Sequence, residues 1–101
     1  MFVRVARFEG ATPTGIDEEL DSMRAQLASP EGLPAALRAA TRVVVLVDRS
    51  VGTTADLTFC ETEGELRAVD QALDAMSPSS AASGRRASVE VFEVGLDVHL
   101  G

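Results

Sequence analysis

The chain predicts an α+β domain in the order strand, helix, strand, strand, helix, strand, and three observations carry that expectation. Segments near both ends and in the middle alternate apolar and polar residues at a period of two. Between them lie two segments whose apolar residues recur at steps of three and four, the spacing of one helical face. Turn-forming Gly, Pro, Asp and Ser fall at the junctions. With 101 residues there is room for one domain, 1–101, built on one core.

Phe2 to Phe8 reads as the first strand, with Val3 and Val5 set against Phe2, Arg4, Ala6 and Phe8. Gly10 and Pro13 break it, and Ile16, Leu20, Met23 and Leu27 form the stripe of the first helix. Thr14 reads as its cap, with Asp17, Glu18 and Glu19 placed in the first turn, where the helix dipole favours negative charge. Pro30 and Gly32 end this unit, and Leu33-Pro34 followed by alanines predicts a short helix. Val43 to Val47 is a continuous apolar run, expected of a strand covered on both faces and the most buried in the sheet. The turn Asp48 to Gly52 then joins it in a hairpin to Thr54–Cys60, where Leu57 and Phe59 alternate with Asp56, Thr58 and Cys60.

Thr62-Glu63-Gly64-Glu65 matches a capping box, in which the Thr hydroxyl and the Glu side chain each satisfy a free backbone donor. The helix it opens buries Leu66, Val69, Leu73 and Met76, turns Arg67, Asp70, Gln71 and Asp74 to water, and stops at Pro78. Residues 77–84 are almost all Ser, Ala, Pro and Gly, so 78–86 is expected to be a mobile loop, with Ser79, Ser80 and Ser83 as linker. Ala87 to Val94 is the last strand. Residues 95–101 extend it or cross to another subunit, since Leu96, Val98 and Leu100 need an apolar partner.

This order is the split βαβ pattern of ferredoxin-like domains: a four-stranded antiparallel sheet with both main helices on one face. The other face, to which Phe8 and Phe92 are assigned, would remain wet in a monomer, so two sheets closing face to face into a homodimer are expected, with a cavity between or beside them. Composition narrows the partners. A net charge of −7 and a single adjacent basic pair, Arg85-Arg86, speak against nucleic acid. No apolar run approaches the roughly 20 residues that span a bilayer, and no leader pattern precedes the first strand, so no membrane and a cytoplasmic location are expected. One cysteine and one histidine make no zinc-site pattern, and no metal is expected. The nine basic residues are all arginine, and Asn, Trp and Tyr are absent.

The run Val43-Val44-Val45-Leu46-Val47-Asp48-Arg49, the turn with Gly52, the segment Leu57-Thr58-Phe59-Cys60-Glu61-Thr62 leading into an acidic helix, and Val89-Glu90-Val91-Phe92-Glu93-Val94 carry a resemblance. They resemble the antibiotic biosynthesis monooxygenase-like family of dimeric α+β barrels, over nearly the whole chain. That resemblance implies a dimer and a choice among cofactor-independent monooxygenases, haem degraders and proteins of no assigned activity, a choice that fold analogy alone does not make. Its active members carry a tryptophan where this chain has Cys60, an asparagine near the position of Ala6 and, in haem degraders, a histidine on the second main helix, which has none here. With that set replaced, the catalytic residues are unknown and no cofactor is expected.

The expected pocket therefore comprises Arg4, Ala6, Phe8, Thr58, Cys60 and Phe92. Arg4 binds a ligand carboxylate or phenolate through its planar fork, or else pairs with Glu90 or Glu93 on the neighbouring strand. Cys60 is a nucleophile if a nearby charge lowers its pKa, and otherwise fills space. Asp97 and His99, two apart on one strand face, are an oriented base, two metal ligands, or solvated polar residues. Asp56 and Glu61 are more simply explained by turn and cap than as paired acids. Three functions follow in order: a dimer binding a small apolar or aromatic molecule in its inter-sheet cavity, a cofactor-independent monooxygenase of polyketide-like phenols, and a structural or regulatory interaction module acting through the tail.

Overall fold

A computed structural model describes residues 1–29, 31, 33–76 and 81–101. Four strands, β1 (Phe2–Glu9), β2 (Arg42–Asp48), β3 (Thr53–Cys60) and β4 (Arg85–Glu93), form one antiparallel sheet in the order β2-β3-β1-β4. Two helices, α1 (Pro13–Leu27) and α2 (Glu63–Asp74), complete the ferredoxin-like α+β arrangement. A short 3-10 helix, Ala35–Ala39, precedes β2, and a 3-10 turn, Ala81–Ser83, precedes β4. The expected breaks at Pro30 and Gly32, the stop at Pro78 and the linker residues Ser79 and Ser80 lie outside the described residues.

The pairing register decides which side chains share a face. Arg4 lies opposite Thr58 and Val91, Ala6 opposite Asp56 and Val89, and Phe2 opposite Cys60 and Glu93. Cys60 packs with Leu66 and Val69 of α2, all three fully buried, and Phe2, Leu37 and Leu73 close around them. Burial of each such aliphatic side chain contributes roughly 1.5–3 kcal/mol. Phe2, Arg4, Ala6 and Phe8 therefore face the helices, and so do Asp56, Thr58 and Cys60. Arg4 and Phe8 were expected on the opposite face, and only Phe92 of that set lies there. A period of two separates the two faces without saying which one the helices cover.

That uncovered face holds Val3, Val5, Val44, Leu46, Leu57, Phe59 and Phe92, with Leu46 53% and Phe92 49% exposed. Arg42 stacks over the Phe59 ring at 5.5 Å to its centroid. Strand β2, expected to be the most buried, is instead an edge strand with no fully buried residue. Its unbroken apolar run reflects two apolar faces, neither of them closed within one chain. Beyond β4, the amide of Val94 donates to the Met1 carbonyl at 2.9 Å, and the tail then leaves the sheet without forming a strand, with Leu96 83% and Leu100 93% exposed.

The cap of helix α1 lies two residues earlier than expected. Thr12, not Thr14, accepts from the Gly15 amide at 3.0 Å, and Pro13 takes the first helical position, where its fixed φ is preorganised and its missing N–H costs nothing. Asp17, Glu18 and Glu19 consequently fall beyond the first turn. The start of α1 is docked on the 3-10 turn: Thr12 donates its amide to the Ala82 carbonyl at 2.9 Å, and a Cβ on Gly15 would sit 1.9 Å from that same oxygen. Only glycine allows this approach. The described part of the expected loop is thus ordered, with Ser83 buried and Arg85 and Arg86 already in β4.

Helix α2 keeps half of its expected capping box. The Glu65 amide donates to the Thr62 hydroxyl, while the Glu65 carboxylate receives that hydroxyl's proton rather than the Thr62 amide. Asp70, expected in water, is drawn to the sheet by Arg4, whose Nε donates to Asp70 Oδ1 at 2.7 Å. The Arg4 side chain is 5% exposed, so its partner is what makes the buried cation tolerable. Replacing Asp70 by Asn strands that charge. The expected result is a loss of roughly 3 kcal/mol in urea unfolding, largely recovered when Arg4→Met is added to Asp70→Leu.

Candidate functional site

Between the sheet and the helices lies a cavity of about 880 Å³. Its floor is the helix-facing row of the sheet: Val43, Val45 and Val47 from β2, Thr54, Asp56 and Thr58 from β3, and Arg4 and Phe8 from β1. One wall is the whole apolar stripe of α1, Ile16, Leu20, Met23 and Leu27. Leu37 of the short helix and Leu73 and Met76 at the end of α2 form the other. The stripe of α1 does not close onto the sheet: Ile16 is buried, Leu20 and Met23 are half-buried, and Leu27 is 43% exposed. Held at its start by the Ala81–Ser83 turn, α1 leaves the β2 half of the sheet uncovered, and the cavity is the space so left.

Polar groups converge at the anchored end of α1. Asp56 stands on the floor beside Arg4, one diagonal step away across β1 and β3, which places their Cβ atoms roughly 7 Å apart. Burial first, then the like charge of Glu19 on α1, push the Asp56 carboxyl up from its ordinary range to about 6, with Arg4 opposing the rise. Glu19 itself accepts from the buried Ser83 hydroxyl at 3.2 Å.

Among the described residues the hydrogen bond of the Arg4 guanidinium runs through Nε to Asp70, and the same side chain borders the cavity. A guanidinium and a carboxylate pushed up to about 6 thus share one cavity.

Of the six expected pocket residues, Arg4, Phe8 and Thr58 line this cavity. Ala6 is buried in the floor between them, and Cys60 belongs to the core under α2. Burial, with Glu65 nearby, pushes the Cys60 thiol up, away from nucleophilic character. Phe92 faces the other side of the sheet. Arg4 pairs with Asp70 and not with Glu90 or Glu93: Glu90 lies opposite Val5 on the other face, and Glu93, one diagonal step from Arg4 across β1 and β4, forms no ion pair with it among the described residues. Asp97 and His99 ride on the exposed tail. Among the described residues no three His, Cys, Asp or Glu side chains converge as a metal-binding group, and no helix is long and apolar enough to cross a membrane.

Asp56 and Glu19 were not expected here. The signal for Asp56 was its phase, since it alternates in step with Thr58 and Cys60, and an acidic residue in a row that turns inward needs a reason. Glu19 carried no comparable mark, because its position depends on the docking of α1. Comparison of the chain with family models, with curated proteins and with solved structures finds no match.

The raised carboxyl has a thermodynamic consequence. Between pH 3.8 and about 6 the folded protein holds a proton on Asp56 that the unfolded chain has released, so this group lowers stability as pH rises through that window. The full effect, on the order of 3 kcal/mol, is present above about pH 6 and absent below about pH 4. Urea unfolding of wild type and Asp56→Asn at pH 4 and pH 7 measures it: the variant's stability relative to wild type should rise between the two pH values by that amount.

Proposed function

We propose that the protein is a homodimer, each subunit of which binds a small apolar or aromatic molecule bearing an oxygen group in the cavity between its sheet and its helices. The observation that carries this reading is the cavity itself. At about 880 Å³ it lies in the range of small-molecule sites, and its lining joins the aliphatic stripe of α1 and the valines of β2 with polar groups, Arg4, Glu19 and Asp56 at one end and Arg38, Asp74 and Arg86 elsewhere on its border. A helix whose apolar stripe is left open from Leu20 to Leu27 forgoes stabilisation that closing onto the sheet would supply. An apolar molecule restores that contact, with its body against Leu20, Met23 and Val45 and its oxygen at Arg4 and Asp56. The site lies on the helix side of each sheet, and not on the face through which two sheets would meet.

The dimer rests on the other face. Seven apolar residues share that face across four strands, with Leu46 and Phe92 exposed and Val5, Val44, Leu57 and Phe59 half-buried, and the tail beyond them exposes Leu96, Val98 and Leu100, apolar surface of the kind that monomers cover. Leu46 lies on that face, so Leu46→Glu should convert a dimer in sedimentation velocity into a folded monomer. A wild-type monomer at all concentrations would remove the dimer from this reading.

Cavity binding is measured by titrating β-tetralone, a benzo-fused cyclic ketone, against the protein by calorimetry. Saturable binding is expected. Leu20→Trp, which fills the cavity from α1, should weaken it roughly tenfold or more, about 1.4 kcal/mol, with an unchanged far-ultraviolet spectrum. Equal affinity in wild type and Leu20→Trp would place the ligand elsewhere and end the proposal.

A further inference from the structure

Arg4 and Asp56 do more than supply polarity to the cavity; each is the complement of the other. One presents N–H donors to a bound oxygen, and the other presents a carboxylate one strand away on the same floor. A ligand oxygen against Arg4 brings the carbon next to its carbonyl toward Asp56. We propose that this pair catalyses proton transfer at the carbon α to the carbonyl of a bound apolar ketone, with Asp56 as the base and Arg4 as the partner of the enolate oxygen. The proposal rests on the binding reading above and adds a reaction to it.

The step balances without a further reactant. An Asp56 oxygen takes the α proton. The C–H electron pair becomes the new C=C bond, and the carbonyl π pair moves onto oxygen, where the Arg4 N–H groups meet the charge. Exchange of the Asp56 carboxyl proton with solvent before its return to the same carbon replaces the α hydrogen, and in a β,γ-unsaturated ketone protonation at the γ carbon instead moves the double bond into conjugation. Neither oxygen nor a cofactor is consumed, so the reaction separates from oxygenation.

Geometry places the two groups, and the surroundings suit them to the task. Burial and Glu19 hold Asp56 at about 6, so the base is ionised at neutral pH yet a stronger base than a solvated carboxylate. The charged groups facing it are Glu19 from α1 and Arg4 from β1. Asp74 of α2, Arg86 of β4 and Arg38 of the short helix border the same cavity, as does Arg42 of β2, with its guanidinium stacked on Phe59. Arg86 and Asp74 neutralise one another at 2.7 Å.

The experiment follows loss of the α-proton signals of β-tetralone in deuterium oxide by proton NMR, under argon, with binding of the same ketone measured in parallel. Wild type at saturation should accelerate exchange roughly 10²–10⁴-fold over an equal concentration of acetate. Its rate should rise with pH to a plateau above about 6. Asp56→Asn should bind the ketone and return exchange to background. Glu19→Gln keeps an acceptor for Ser83 but removes the like charge, and should shift the rise to lower pH, a change that a merely structural role would not produce. Saturable binding with no exchange, or exchange unchanged in Asp56→Asn, overturns the proton-transfer proposal and leaves the binding reading intact. Absence of binding overturns both.

Discussion

Arg4 carries a full positive charge into the space beneath α2, where its side chain is almost wholly removed from water. The cost of stripping a guanidinium of its hydration has to be met on the spot, and Asp70 meets it from the helix above. Through that one bond the position of α2 over β1 is coupled to the electrostatics of the cavity. The same cation moderates Asp56, which burial and Glu19 would otherwise push higher still. The carboxylate near the threshold of ionisation is therefore the resultant of three elements, β1, β3 and α1, held in register by the sheet and by the Ala81–Ser83 turn.

The two helices play unequal parts. Helix α2 supplies the core, with Leu66 and Val69 fully buried against Cys60. Helix α1 carries an apolar stripe of the same length that lines a cavity. What distinguishes them is where each is fastened: α2 along its length, α1 at its start, where Thr12 and Gly15 meet Ala82 and Arg49 pairs with Asp17 at 2.8 Å. A stripe that could have been core is held away from the sheet by its own anchor.

Much of the architecture was legible in the chain. Periods of two and of three to four marked all four strands and both helices, and the order of elements implied the sheet. What periodicity lacks is a sign. It grouped Arg4 with Phe8 correctly and then assigned the group to the wrong side, because Val3 and Val5 are as apolar as a core row while facing away from the helices. For β2 the unbroken valines stated that both faces are apolar, which differs from both being covered. The role of Asp70 was hidden for a related reason: on a helical wheel it stands with the polar residues, and only a buried cation on another element turns it inward. Asp56 was marked by its phase. Glu19 was not, since its approach depends on Gly15 admitting a backbone oxygen, a contact between residues 67 positions apart in sequence.

The fastening of α1 at one end makes it a lever. Its 15 residues extend about 22 Å, with Glu19 near the fulcrum and Leu27 at the tip. A tilt of roughly 10° about Gly15 carries Leu27 about 3 Å while hardly displacing Glu19. Under such a tilt the end of the cavity that holds Glu19, Asp56 and Arg4 hardly moves, and the end walled by Met23 and Leu27 moves most. Under the proposed binding, such a site would be strict about the functional group it accepts and permissive about the length and bulk of the hydrocarbon behind it. A set of homologous molecules with one shared oxygen chemistry and variable apolar bodies would be received by it with little change in geometry at the polar end.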